Sequence, residues 1–378
     1  MKKVAILGST GSIGTQALKV ISENSDKLKV FAVSCEKNTD LLCEQIERFR
    51  PEIAVTASEG DALALSKRYR GTEFFYGVEG LVHAVQAGCD VVLNALVGIS
   101  GLLPTYKAIL AGKDVALANK ETLVAGGKVI MDAVKKQKVR LIPVDSEHSA
   151  LFQCLSGNSM SEVRRLILTT SGGPFRGYSP ERLRDVTVEQ ALSHPKWSMG
   201  SKVTVDSATM MNKGLEIIEA KWLFDMREDK IDVVAHPQCI IHSMVEFVDG
   251  TVMAQMSKTD MKVPISFALG YPARIKSGAE PVDFPNDGPL TFEKPDEDTF
   301  VCMKLARRAI RDEDSSYPVV LNAANEILVQ QFLEGKIKFT EIQDNIEREL
   351  FEHKPEYGLD IGQVLELDAA VKNRIRKK

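Results

Sequence analysis

Val4-Ala5-Ile6-Leu7-Gly8-Ser9-Thr10-Gly11-Ser12-Ile13-Gly14, residues 4–14, runs an apolar strand directly into three glycines, and a helical pattern follows over 15–21. In such a turn the first glycine permits the tight reversal, the second lets backbone approach a pyrophosphate, and the third allows helix and strand to pack closely. A diphosphate would then meet free N–H groups at a helix N-terminus. The spacing is G-x-x-G-x-x-G, not the commoner G-x-G-x-x-G, and it also suits a plain strand-to-helix loop. The strand before and the helix after favour a dinucleotide site.

Downstream, short apolar runs at 30–35, 53–56, 91–94, 114–118 and 140–144 alternate with helical segments such as 40–48 and 101–110. This alternation predicts a parallel, doubly wound sheet, a Rossmann-like α/β domain over residues 1–145. Beyond residue 164 the pattern changes. Runs at 166–169, 231–235, 241–248 and 251–256, the last two joined by Asp249-Gly250, predict an antiparallel sheet with a type I′ hairpin and an α+β catalytic and dimerisation domain over 146–270. Prolines 272, 281, 285, 289 and 295 mark a linker over 271–298. Helical patterns near 299–312, 318–334, 340–352 and 361–376 predict a C-terminal helical bundle over 299–378.

A formal net charge of −4 gives no electrostatic footprint for nucleic acid, and the basic run at Lys372, Arg374, Arg376, Lys377 and Lys378 reads as a solvated helix end. No stretch approaches the ~18 apolar residues of a membrane span. The first apolar run stops at Gly8, short of a signal-peptide core. Cys35, Cys43, Cys89, Cys154, Cys239 and Cys302 include no C-x-x-C pair, so they read as free thiols of a reducing compartment. A cytoplasmic protein is expected.

Two polar constellations could carry chemistry. Pro143-Val144-Asp145-Ser146-Glu147-His148 follows an apolar strand, and carboxylates at i and i+2 of an extended strand end point to one side. Two convergent carboxylates want a cation or a proton, and the strand's C-terminal edge is where open α/β sheets bind ligands. The same residues also suit a helix start with Ser146 as its cap. In Asp206-Ser207-Ala208-Thr209-Met210-Met211-Asn212-Lys213-Gly214-Leu215-Glu216, a helix would bring Asn212, Lys213 and Glu216 into one polar patch. An ordinary surface Lys–Glu pair would look alike, but Ser207, Asn212 and Lys213 are the hydroxyl, amide and ammonium that hold phosphate. Glu216 could join Asp145 and Glu147 as a third oxygen ligand, a set suited to Mg²⁺ or Mn²⁺ more than to zinc.

Thr169-Thr170-Ser171-Gly172-Gly173-Pro174 closes a strand with a loop that could cradle an anion. His194-Pro195-Lys196-Trp197-Ser198-Met199-Gly200-Ser201 places apolar Trp197 and Met199 in a loop, which suits either a lid or local packing. Ala118-Asn119-Lys120-Glu121 lies just past a strand of the first domain, at the ligand edge. His242, flanked by apolar residues, reads as a satisfied sheet histidine.

Together, these motifs closely resemble the 1-deoxy-D-xylulose 5-phosphate reductoisomerase family, in its order over residues 8–216, and the later His236-Pro237-Gln238 and Ile241-His242-Ser243-Met244-Val245 strings extend the likeness over almost the whole chain. The resemblance implies rearrangement and reduction of 1-deoxyxylulose 5-phosphate to 2-C-methylerythritol 4-phosphate in the non-mevalonate isoprenoid route, by a homodimer using NADPH and a divalent metal (Mg²⁺, Mn²⁺ or Co²⁺). By family likeness Asp145, Glu147 and Glu216 bind the metal, and Lys120 is catalytic beside them. Lys120, Ser146, Ser171, His194, Ser207, Asn212 and Lys213 hold the substrate and its phosphate. Thr10, Gly11, Ser12, Ile13, Lys37, Asn38, Asn119, Glu121 and Gly200 match cofactor positions, and Trp197 and Met199 the lid.

One departure stands out. Glu36 replaces the family's usual glycine, 22 residues after Gly14; an acid there ordinarily bonds a ribose 2′-hydroxyl and favours NAD, whereas neighbouring Lys37 can pair with the 2′-phosphate of NADPH. Two other readings remain open on the residues alone. A dehydrogenase without rearrangement would survive a chelator, and a non-catalytic NADPH sensor would need neither the carboxylate trio nor a lid.

Overall fold

The computed structural model describes residues 1–197 and 199–377; Ser198 of the apolar loop and Lys378 of the basic tail lie outside the described residues. Two compact units emerge: unit 1 comprises Met1–Thr122, Ile130–Ser149 and Asp260–Glu280, and unit 2 comprises Leu123–Val129, Ala150–Thr259 and Pro281–Lys378.

Unit 1 begins β1 (Lys2–Leu7), α1 (Ser12–Glu23), β2 (Leu28–Ser34), α2 (Thr39–Phe49), β3 (Ile53–Thr56), α3 (Glu59–Arg68), β4 (Glu73–Tyr76) and α4 (Gly77–Gln86). It continues β5 (Val91–Asn94), α5 (Leu102–Leu110), β6 (Asp114–Leu117), the two ends of α6 (Glu121–Gln137), β7 (Leu141–Pro143) and the start of α7 (Ser146–Leu155). All seven strands are parallel in the order β4-β3-β2-β1-β5-β6-β7. The expected doubly wound sheet is therefore present, with β4, α3 and α4 added where short half-exposed segments give little periodicity. Strand order reverses at β1, so the crevice between β1 and β5 is the switch point at which such sheets bind ligands. Fully buried β1 and β5 residues such as Val4, Ile6, Val92 and Leu93 make near-continuous apolar runs, as strands covered on both faces require.

In unit 2, β8 (Val163–Thr170), β9 (Ile231–Ala235), β10 (Ile241–Phe247) and β11 (Val252–Met256) form a sheet in the order β11-β10-β8-β9, and α8 (Pro180–Leu183), α9 (Val188–Ala191), α10 (Ser201–Ala208) and α11 (Met211–Phe224) connect β8 to β9. Because that crossover is helical, β8 and β9 run parallel, and the sheet is mixed where an antiparallel one was expected. The turn between β10 and β11 also departs from type I′: Gly250 takes positive φ (+87°) but Asp249 does not, and Asp249 accepts the Thr251 N–H at 2.8 Å.

The remaining helices are α12 (Lys262–Gly270), α13 (Cys302–Ala309), α14 (Tyr317–Leu333), α15 (Phe339–Glu352) and α16 (Ile361–Arg376). The expected boundaries at 270 and 298 fall elsewhere. Helix α12 packs on α1 in unit 1, where Lys2 donates to the Leu269 and Tyr271 carbonyls and Asn24 to that of Lys276. Residues 281–298 lie along unit 2: Glu293 pairs with Ala235 as a β-bridge and binds Arg176, and Thr291 bonds His236 and Gln238. A proline-rich segment still has carbonyls and N–H groups to satisfy, and here the Ala235 backbone and the His236 and Gln238 side chains supply partners. The terminal helices share one apolar cluster with the small sheet, including Leu166, Val245, Leu215, Ile218, Leu305, Leu328 and Ile346, so no separate core divides them from it.

Candidate active site

The glycine turn is built from below. Gly8 sits at φ +81° so close to β5's continuation that a Cβ would lie 2.7 Å from the Ala95 oxygen, and a Cβ on Gly14 would lie 2.5 Å from Ser9 Cα. The Gly8 N–H donates to Ser34 Oγ at 2.8 Å, while buried Ser9 and Gln45 of α2 exchange two hydrogen bonds of 2.6 and 2.9 Å. Helix α1 then opens at Ser12 with Gly11 extended before it, no side-chain cap and no acid in its first turn. Thr10, Gly11, Ser12 and Ile13 thus border a helix start whose N–H groups are left for an anion. Ser34 and Gln45 carry no motif, and sequence reasoning missed them; only a polar residue at an otherwise apolar strand end hinted at Ser34.

At the end of β2, Glu36 and Lys37 are exposed, and Asn38 caps α2 by accepting the Leu41 N–H at 3.1 Å. Beyond β6, Asn119 is buried, donating to the Leu96 and Gly98 carbonyls and to Glu121 while accepting from Thr122. The side chains of Asn119 and Glu121 therefore brace the loops after β5 and β6, forming the wall of the switch-point crevice.

Lys120 donates to Asp145 Oδ2 at 3.0 Å, and Asp145 Oδ1 accepts from the Glu147 N–H at 3.1 Å and lies 2.9 Å from His148 Nδ1. Strand β7 stops at Pro143, so Asp145 and Glu147 are grouped at the start of α7 instead of alternating along a strand, and Asp145 caps that helix where Ser146 was expected to. Ser146 instead bonds Glu147 Oε2. His148, fully buried, was not singled out from sequence; its position three residues after Asp145 on a helix start was the available signal.

In unit 2, α11 carries Asn212, Lys213 and Glu216. Asn212 Nδ2 and Lys213 Nζ donate to separate oxygens of Glu216, and Lys213 and Glu216 are only 3% and 1% exposed, so they are not a surface ion pair. A buried pair of this kind needs good geometry and further hydrogen bonds, such as that from Asn212, to offset desolvation. Ser207 lies in the last turn of α10, and the loop after β8 lies against it: a Cβ on Gly173 would be 2.6 Å from the Ser207 oxygen. The N–H groups of Gly172 and Gly173 are taken by the Thr170 and Ser171 hydroxyls, so the loop's backbone donors are engaged internally.

Ser171 Oγ lies 3.1 Å from His194 Nε2, and His194 Nδ1 accepts the Lys196 and Trp197 N–H groups at 3.2 and 2.9 Å. Two donors on Nδ1 place the proton on Nε2, directed at Ser171. Trp197 is half-buried with its ring 6.2 Å from that of His242, Met199 is half-buried, and Gly200 precedes α10. His242 itself bonds the Ser257 carbonyl, as a satisfied sheet histidine should.

Burial pushes the His194 pKa below its ordinary value of 6.5. The unfolded chain therefore takes the proton first, so His194 costs nothing above that value and destabilises the fold as pH drops from it through the lowered pKa. Protonation also ends acceptance by Nδ1. In a Trp222→Phe background, Trp197 emission is expected to change as pH falls from 7 to 5 with a midpoint below 6.5, and His194→Gln is expected to erase the transition; an identical titration in both proteins would refute the latch. All six cysteines are free, and burial raises the thiols of Cys35, Cys89 and Cys154 to about 11, leaving them inert as nucleophiles.

A switch-point glycine turn, with half-buried Asp145 joined to buried Lys120 and His148 on the same sheet edge, is the layout of a dinucleotide-dependent enzyme. Models of the 1-deoxy-D-xylulose 5-phosphate reductoisomerase, of its C-terminal domain and of the DXP reductoisomerase C-terminal domain match residues 4–127, 141–224 and 256–374. The reductoisomerase of Geotalea daltonii is 53% identical over 97% of this chain and 96% of its own, and that of Thermoanaerobacter pseudethanolicus 50% over 100% and 99%. The Zymomonas mobilis enzyme in complex with NADPH superposes with a TM-score of 0.92 at 40% identity, over 99% of this chain and 97% of that one. A reductoisomerase in complex with NADPH, fosmidomycin and magnesium gives 0.94 at 38%, over 100% and 98%. The chain belongs to the 1-deoxy-D-xylulose 5-phosphate reductoisomerase family.

Proposed function

We propose that this chain rearranges and reduces 1-deoxy-D-xylulose 5-phosphate to 2-C-methyl-D-erythritol 4-phosphate, with NADPH and a divalent metal, as a cytoplasmic homodimer of the non-mevalonate isoprenoid route. The observation that carries it is the Lys120–Asp145–His148 cluster beside Glu147 at the C-terminal edge of the dinucleotide sheet. The donors fit the groups required. Carboxylate oxygens of Asp145, Glu147 and Glu216 suit a hard cation such as Mg²⁺ or Mn²⁺, and α1 offers uncapped N–H groups to a diphosphate. When bound, the cation polarises the substrate's carbonyl and hydroxyl oxygens, and NADPH supplies the hydride.

The chain's own residues do the rest. Ser146 and Lys120 orient the substrate oxygens beside the carboxylates, with Lys120 held in place by Asp145. Ser171, Ser207, Asn212, Lys213 and the Nε2–H of His194 hold the phosphate, which lies away from the reacting carbons and anchors them by binding energy. Trp197 and Met199, on the same loop as His194, cover the substrate and exclude water from the intermediate. Lys37, exposed past β2, meets the 2′-phosphate, and Glu36 turns to solvent.

NADPH absorbance decay with purified protein and 1-deoxyxylulose 5-phosphate tests the reading. Oxidation that requires Mn²⁺ or Mg²⁺, stops with chelator, yields the branched polyol phosphate and is much slower with NADH is the expected result. Metal-independent oxidation, or none, would overturn it.

A further inference from the structure

Behind the phosphate-facing residues of unit 2 lies a buried charge that none of the chemistry above uses. Asp206, the residue before Ser207, is 1% exposed; its Oδ1 accepts Asn325 Nδ2 at 2.8 Å and its Oδ2 accepts Lys202 Nζ at 2.8 Å. Asn325 comes from the middle of α14, in the helical bundle, and Lys202 from the first turn of α10, next to the Trp197 loop.

Asp206 thus ties the short helix that carries Ser207 to its own first turn through Lys202 and to α14 through Asn325. The Ser207 carbonyl accepts the Met210 N–H at 3.2 Å, and Met210, buried and left-handed at φ 63°, turns the chain into α11, whose first turn holds Asn212 and Lys213. With Gly173 packed against the Ser207 oxygen, the glycine loop, the end of α10 and the start of α11 form one block. Asn325 is fully buried, and its Oδ1 has no hydrogen-bond partner among the described residues. Leaving an acceptor unmet is costly, and an apolar pair would pack the same helices more cheaply, so packing alone does not account for the pair.

We propose that Asn325, acting through Asp206, is a positioning residue for recognition of the substrate's phosphate, setting where Ser207, Asn212 and Lys213 stand. The inference rests on the phosphate role given to those residues under the proposed function.

In the full-length protein, Asn325→Leu keeps the volume and removes the donor. Its expected signature is a KM for 1-deoxyxylulose 5-phosphate raised roughly tenfold or more, with kcat within about twofold. The inhibition constant of inorganic phosphate should rise in parallel, NADPH affinity should stay put, and Asn325→Gln should restore much of the loss. A fall in kcat alone, in proportion to folded protein, or a raised KM with phosphate affinity unmoved, would overturn the assignment. If Asn325→Leu does not fold, Asp206→Asn is read against the same criteria. If the wild-type chain turns over no substrate, the functional reading fails separately, and calorimetric titration with inorganic phosphate still decides the role of the pair.

Discussion

Asp145→Asn is expected to lower kcat/KM by about 10²–10³-fold while leaving NADPH affinity unchanged. The wild-type carboxylate accepts from Lys120 on one oxygen and from the Glu147 N–H and His148 on the other. An amide offers a single acceptor oxygen, and its NH₂ must then face either the Lys120 ammonium or the His148 ring. On the proposed function the variant loses a hard-cation ligand along with the anchor of Lys120, and neither loss touches the glycine turn. Titration with Mn²⁺ followed by electron paramagnetic resonance should show weakened binding alongside the kinetic defect. Unchanged turnover would remove Asp145 from the chemistry.

Gly14→Ala acts instead at the glycine turn after β1. Its methyl would stand 2.5 Å from Ser9 Cα and closer still to the Gly8 oxygen, both rigid backbone, so α1 must shift off the turn. Overpacking of this kind costs about 1–3 kcal/mol of stability. The shift also withdraws the uncapped N–H groups from the pyrophosphate, so NADPH affinity is expected to fall by roughly tenfold or more. Urea unfolding and NADPH fluorescence titration measure the two effects, and inorganic phosphate binding should not move. An alanine variant with full NADPH affinity would show that the third glycine serves packing only.

These two positions also mark what the sequence disclosed. Gly8, Gly11 and Gly14 could be read because glycine is demanded by local geometry, and local geometry is written locally. Asp145, Glu147, Asn212 and Lys213 were legible as polar residues interrupting apolar runs at element ends. Asn38 and Asn119 were expected at the cofactor, and what the sequence did not disclose is that their side chains also cap α2 and brace the loops after β5 and β6. Gln45 and Asn325 were invisible, since each matters through a partner that only tertiary packing supplies. The same holds for the segment 281–298, whose proline content suggested a spacer while its hydrogen bonds lie along unit 2.

The interleaving of the chain between the units sets an order of events during synthesis. Lys2 finds its partners at Leu269 and Tyr271, and α1 its cover in α12. At about 5–20 residues per second, the first strand waits roughly 13–50 seconds for them. The dinucleotide unit, although it starts the chain, is completed only after all four strands of the second sheet have been made.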